Sequence, residues 1–125
     1  MDKKINFLHT CREAAAEAEK LFGMNARIIL AQGALESGWG TSMLATEHHN
    51  FFGLMGYGAS NAYWHGQRAT FETAYGTHHF RHYEATHLSF LDLYRRNIIA
   101  LEAEIGKQLE LFQWTMNNGQ LNHKS

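Results

Sequence analysis

The chain has 125 residues, 45% of them hydrophobic and 18% charged, which suits one folded domain with a real core and excludes a disordered segment. A formal charge of −1 lacks the basic field that nucleic acid or an anionic membrane surface calls for, so a polymeric partner must be gripped by other means. No apolar run approaches the roughly 18 residues of a membrane span, so membrane insertion is not expected either.

Met1-Asp2-Lys3-Lys4 leads into Ile5, Phe7 and Leu8 without the apolar core of a secretory signal. A target outside the cytoplasm would then be reached by another export route, by cell lysis, or after removal of a leader. The single cysteine, Cys11, cannot form an intramolecular disulfide and reads as a small core hydrophobe in an amphipathic pattern. Proline is absent, and glycines concentrate between Gly33 and Gly76, so the backbone makes its turns in the middle of the chain.

In chain order, Ile5, Leu8, Cys11, Ala15, Ala18 and Phe22 recur at threes and fours, which predicts a helix over residues 3–22 ended by Gly23. Asn25 is a natural N-cap for a second helix running to Glu36 or Ser37, and Thr41 or Ser42 can cap a short one to Glu47. His48 to Ser60, dense in glycine and aromatics without helical period, reads as a structured loop. Arg68–Tyr75 and Thr77–Tyr83, joined near Gly76, predict a two-stranded hairpin of unreadable register that needs helices beneath it. From Thr86, Leu88, Leu91, Tyr94, Ile98, Leu101, Ile105, Leu109 and Phe112 predict one long helix, or two joined at Gly106. Asn117-Asn118-Gly119 ends it, and residues 120–125 form a polar tail expected to fray. The expected class is α+β, mostly helical, as a single domain over residues 1–125 and a monomer.

Chemistry concentrates at Ala34-Leu35-Glu36-Ser37-Gly38-Trp39-Gly40. The apolar lead-in from Ala26 to Leu35 predicts that Glu36 arrives on a largely buried surface, with Trp39 as an apolar wall and two glycines letting the backbone leave the helix. Desolvation there would raise the carboxyl pKa, as a general acid near neutral pH requires. A helix-end glutamate held by Arg27 or Arg81 explains the same residues structurally.

Further motifs follow: Asn50-Phe51-Phe52-Gly53-Leu54-Met55, Thr70-Phe71-Glu72, Phe80-Arg81-x-Tyr83 and Ser89-Phe90-Leu91-Asp92. Together with Ala34–Ser42, and in the same order, they resemble the motifs of the glucosaminidase-domain family of peptidoglycan hydrolases, which includes autolysins, the flagellar cell-wall hydrolase and phage lysins. The resemblance covers residues 26 to 95. It implies a lysozyme-like fold, with a helical lobe and a small β-lobe flanking a sugar groove. It also implies cleavage of the β-1,4 bond after N-acetylglucosamine in the cell-wall glycan strand, with Glu36 as the catalytic acid and Glu72 as second carboxylate.

The pairing is chemically sensible, since a leaving group needs a neutral acid while an oxocarbenium ion or attacking water needs an ionised group. Inverting, retaining and substrate-assisted routes all stay open. Aromatics at positions 51 to 83 suit a neutral sugar chain. Trp64 and Tyr57 are the groove candidates, Phe52 and Phe80 the packing candidates, and Trp39 serves both ends; Asn50 either binds substrate or fixes its loop. The family's further tyrosine, in a Gly-Tyr-Ala-Thr-Asp-like segment, has no counterpart after Tyr94, so Tyr57, Tyr75 or Tyr83 is a candidate replacement. Nine histidines include His78, His79 and His82, but no His-Glu-x-x-His or cysteine pair accompanies them, so neither metal nor other cofactor is expected. A non-cutting glycan- or partner-binding module and a lytic transglycosylase are the alternative functions.

Overall fold

The computed structural model describes residues 2–119. The expected frayed tail lies outside the described residues. Four helices and one hairpin follow in order: α1 Lys3–Phe22, α2 Ala26–Ser37, α3 Met43–His48, β1 Arg68–Thr73, β2 Gly76–Arg81 and α4 Thr86–Asn117. Contacts divide the chain into two units, one ending at Arg95 and one beginning at Arg96. The first holds α1 to α3, the hairpin and the opening turns of α4. The second is the remainder of α4, in which Gly106 lies within the helix rather than at a joint between two.

Capping sets the helix boundaries. The Asp2 carboxylate accepts the Lys4 N–H, Asn25 accepts from Arg27 and Ile28, and Ser42 accepts from Ala45, each covering an otherwise orphan donor of the first turn. The α1 stripe differs from expectation in its direction. Phe7, Cys11, Ala14, Ala15 and Ala18 are buried, whereas Ile5 and Leu8 are exposed. The small residues form the inward face because α2 packs close against them, and a stripe centred on Ile5 and Leu8 would hold the helices apart.

The core of the first unit joins that face to Ile29 and Ala34 of α2, to Phe51, Phe52 and Leu54 of the loop, and to Phe90, Leu91 and Tyr94 of α4. Phe90 sits between Phe51 and Phe52, with ring centroids 5.7 and 4.8 Å away, and Phe52 meets Tyr94 edge-on at 6.1 Å. Asn50, 1% exposed, organises the loop: its amide donates to the carbonyls of Leu54 and Arg81, and its carbonyl accepts from Phe52 and Leu54. The hairpin is antiparallel, pairing Arg68 with Arg81, Phe71 with His78 and Glu72 with Thr77. Met55 bridges to Phe80, attaching the loop to the outer side of β2.

Candidate active site

Glu36 occupies the last turn of α2, and the side of the helix it occupies corrects the sequence expectation. The helix buries Ile29, Gly33, Ala34 and Ser37, while Ile28 and Leu35 are 62% and 84% exposed and Glu36 is exposed. An apolar lead-in therefore does not mean a buried acid here, because half of that apolar surface faces outward. Partial desolvation still raises the Glu36 carboxyl above its usual value, opposed by a hydrogen bond from Gln32, one turn earlier. Neither arginine offered by the structural explanation holds it: no ion pair to Glu36 occurs among the described residues, and Arg81 pairs with Asp92.

The turn after Glu36 is built by Ser37. Its buried hydroxyl donates to the Gly33 carbonyl at 2.6 Å and accepts the Gly40 N–H at 2.8 Å. Gly38, Trp39 and Gly40 all take positive φ, at 59°, 59° and 77°. Glycine adopts this readily, but a tryptophan there is strained and must be held by its surroundings. Phe7 supplies an edge-on ring 5.7 Å away, and the Lys4 ammonium lies 5.2 Å from the indole centroid. Trp39 remains partly exposed, three residues from Glu36. A cavity of about 490 Å³ opens beside it, walled by Phe7, Phe51, Thr46 and His49 among others; neither Glu36 nor Glu72 lines it.

Glu72 lies exposed on β1, and the hydroxyl of its cross-strand partner Thr77 donates to both carboxylate oxygens, at 3.0 and 2.9 Å. Tyr57 is 55% exposed and packs edge-on to His79, while Tyr75 at the hairpin turn is 94% exposed. Three other candidates are withdrawn from the surface. Trp64 is 2% exposed: its indole N–H donates to the Gln67 carbonyl, and the Arg81 guanidinium stacks 4.0 Å from its ring centroid. Tyr83 is 1% exposed, and Asn50 is spent on its loop. The Asn61 side-chain oxygen accepts the backbone N–H groups of Tyr63 and Trp64, which fixes the turn that carries Trp64.

Two motifs separated in sequence meet in one buried polar cluster. Asp92, fully buried, accepts from Arg81 at 2.6 Å, from the Tyr83 hydroxyl at 2.5 Å and from the Asn61 amide at 2.9 Å. Arg81 also donates to the carbonyls of Met55 and Tyr57. Burial, then the Asp92 carboxylate, pushes the Tyr83 hydroxyl far up, so it stays a donor. This cluster ties hairpin, loop and α4 together, with Asn61 a member that no sequence pattern indicated. A second missed residue is Gln32, whose signal was its spacing of four from Glu36 on one helix.

The histidines do not converge: no group of three or more potential metal ligands occurs among the described residues. His48 and His82 do meet, with Nδ1 atoms 3.0 Å apart.

A family model for glucosaminidase, described as mannosyl-glycoprotein endo-beta-N-acetylglucosaminidase, matches residues 12–118. The glycoside hydrolase domain of Salmonella typhimurium FlgJ superposes with a TM-score of 0.62 at 23% identity, covering 94% of this chain and 99% of that one. A peptidoglycan hydrolase from Sphingomonas sp. A1 gives 0.58 at 26% identity, over 71% of this chain and 58% of that one. The catalytic domain of the Listeria monocytogenes autolysin Auto gives 0.60 at 23%, over 77% and 56%. A Streptococcus pneumoniae protein provisionally named an endo-beta-N-acetylglucosaminidase is 49% identical over 41 residues, 33% of this chain, and the matched segment spans only 6% of that relative's length. With the family model spanning most of its length, in an α+β and mostly helical fold shared with peptidoglycan hydrolases, the chain belongs to the glucosaminidase family.

Proposed function

We propose that this domain, as a monomer, cleaves the β-1,4 bond after N-acetylglucosamine in the glycan strands of bacterial peptidoglycan, with Glu36 as general acid. The observation that carries the reading is an exposed carboxyl in the last turn of α2, beside the Ser37-braced turn that presents Trp39; partial desolvation raises that carboxyl above an ordinary glutamate. A raised pKa leaves more of the neutral acid present as pH rises, so the group can protonate a leaving-group oxygen under mildly acidic to neutral conditions. Glu72 is the second carboxyl, hydrogen-bonded by the Thr77 hydroxyl, that serves an oxocarbenium ion or an attacking water. Trp39, Tyr57 and Tyr75 offer partly or largely exposed rings against which neutral sugars stack.

Purified protein is expected to release reducing ends from bacterial sacculi. Glu36→Gln should lower this roughly 10²–10⁴-fold while changing stability by about 0.5 kcal/mol or less, because the side chain is exposed. Glu72→Gln should also lower turnover; full activity in that variant would instead favour attack by the substrate's own N-acetyl group. Wild-type protein that binds sacculi without generating reducing ends would overturn the hydrolase reading in favour of a binding module, and anhydro-muramic ends would identify a lytic transglycosylase.

A further inference from the structure

The cavity of about 490 Å³ beside Trp39 takes no part in the proposed cleavage, since neither Glu36 nor Glu72 lines it. Its size is that of a small-molecule site. Among the described residues, Trp39 and His49 are the only non-glycines at positive φ, and both line this cavity. Glycine would serve either backbone at less steric cost. The chain instead accepts strain in order to carry a side chain, and at both places that side chain belongs to the same wall. Between Trp39 and the rings beneath, a Cβ at Gly40 would stand 3.2 Å from Phe51 and 3.5 Å from Phe7, so the backbone there lies directly against both.

The lining selects a chemistry. Phe7, Phe51 and Trp39 supply an apolar floor. Thr10, Thr41 and Thr46 stand around it, and their hydroxyls donate to the backbone carbonyls of Asn6, Gly38 and Ser42. With the proton engaged, each oxygen offers a lone pair, which suits a ligand rich in O–H and N–H donors. Lys3 adds a cation, and among the described residues no carboxylate lines the cavity, so a ligand ammonium finds no partner in the lining. We propose that this cavity is a second, non-cutting sugar site that takes an N-acetylated amino sugar, with the acetyl methyl on the aromatic floor and the hydroxyl and amide protons on the threonines. Trp39 follows Glu36 by three residues, so a strand held here is held close to the proposed acid. The site does not depend on cleavage; that its sugar belongs to a cell-wall glycan rests on the function proposed above.

The test follows backbone and indole N–H resonances of the full chain carrying Glu36→Gln, by nitrogen-15 NMR, as the β-1,4 disaccharide of N-acetylglucosamine is added. Saturable shifts are expected at Gly40, Thr41, Thr46 and His49 and at the Trp39 indole. Adding Thr10→Arg or Thr46→Arg, each at an exposed helix position where a long side chain can occupy the cavity, should weaken binding about tenfold or more. The two changes lie on different helices, so either one gives the answer if the other fails to fold. The same disaccharide with both acetyl groups removed lacks the methyls and carries ammonium groups, and it should also bind about tenfold more weakly. Shifts absent from the cavity, equal binding in a folded arginine variant, or equal binding of the deacetylated sugar overturns the proposal. Saturable binding in the cavity, alongside wild-type protein that releases no reducing ends from sacculi, leaves the site standing while the hydrolase reading fails.

Discussion

At the scale of single residues, two acids show opposite relations between pattern and place. Asp92 sits in a helix of mixed character and is fully buried; Glu36 follows an apolar run and is exposed. What decides each is the set of donors it meets: Asp92 has Arg81, Tyr83 and Asn61, contributed by segments 9 to 31 residues distant in sequence. Arg81 and Tyr83 belong to one sequence motif and Asp92 to another, and nothing in either motif shows that they touch. Asp92→Asn removes the charge opposite a buried guanidinium and should cost about 3–5 kcal/mol, read as a lowered urea midpoint. Ser37 is a gentler case, because its hydroxyl serves both Gly33 and Gly40. Ser37→Ala should cost about 1–3 kcal/mol, and the relaxed turn should show as altered Trp39 fluorescence.

At the scale of elements, existence and boundaries were largely legible and facing was not. Caps at Asn25 and Ser42 and the glycine at position 23 are local signals, and each marks an observed helix end. Which stripe of α1 turns inward depends on how closely α2 can approach, a property of the pair that neither helix carries alone. The hairpin was likewise readable as two strands, but its register awaited its anchors. One anchor is the contact between α3 and the segment after β2, where His48 and His82 share a hydrogen bond and Phe71 packs edge-on to His48. Burial, with the nearby His48 and His49, lowers the His82 pKa below 6.5, and Glu84 opposes the shift. The unfolded chain therefore takes up this proton before the fold does. Stability from the contact is intact above about pH 6.5 and is lost as pH falls below that value towards the folded pKa. Urea midpoints at pH 7.5 and 5.5 should differ more in wild type than in His82→Asn; an equal difference would remove His82 from the account.

At the scale of the whole molecule, the two units differ in how they are stabilised. Residues up to Arg95 share a core of interlocking aromatics, whereas α4 beyond it leaves Leu101, Ile105, Leu109, Phe112 and Trp114 between 55% and 62% exposed. A single helix taken by itself has little beyond its own hydrogen bonds to keep it formed. Amide hydrogen exchange should accordingly be slow at Phe90 to Tyr94 and at least tenfold faster over residues 99–112; equal protection would mean that this face is covered in solution. The periodicity of the sequence predicted the helix, and its stripe says nothing of what, if anything, covers it.

The enclosed Cys11 has a practical consequence. It is the only cysteine in the sequence, it is fully buried, and burial pushes its thiol up to about 12. Maleimides should leave the native protein unmodified and label it only in denaturant. The molecule is thus chemically silent towards thiol reagents, so a cysteine placed at Tyr75, on the 94% exposed hairpin tip, would carry a fluorophore or spin label alone. Movement of the hairpin during an encounter with insoluble wall material could then be followed by spectroscopy, with no native thiol to remove first.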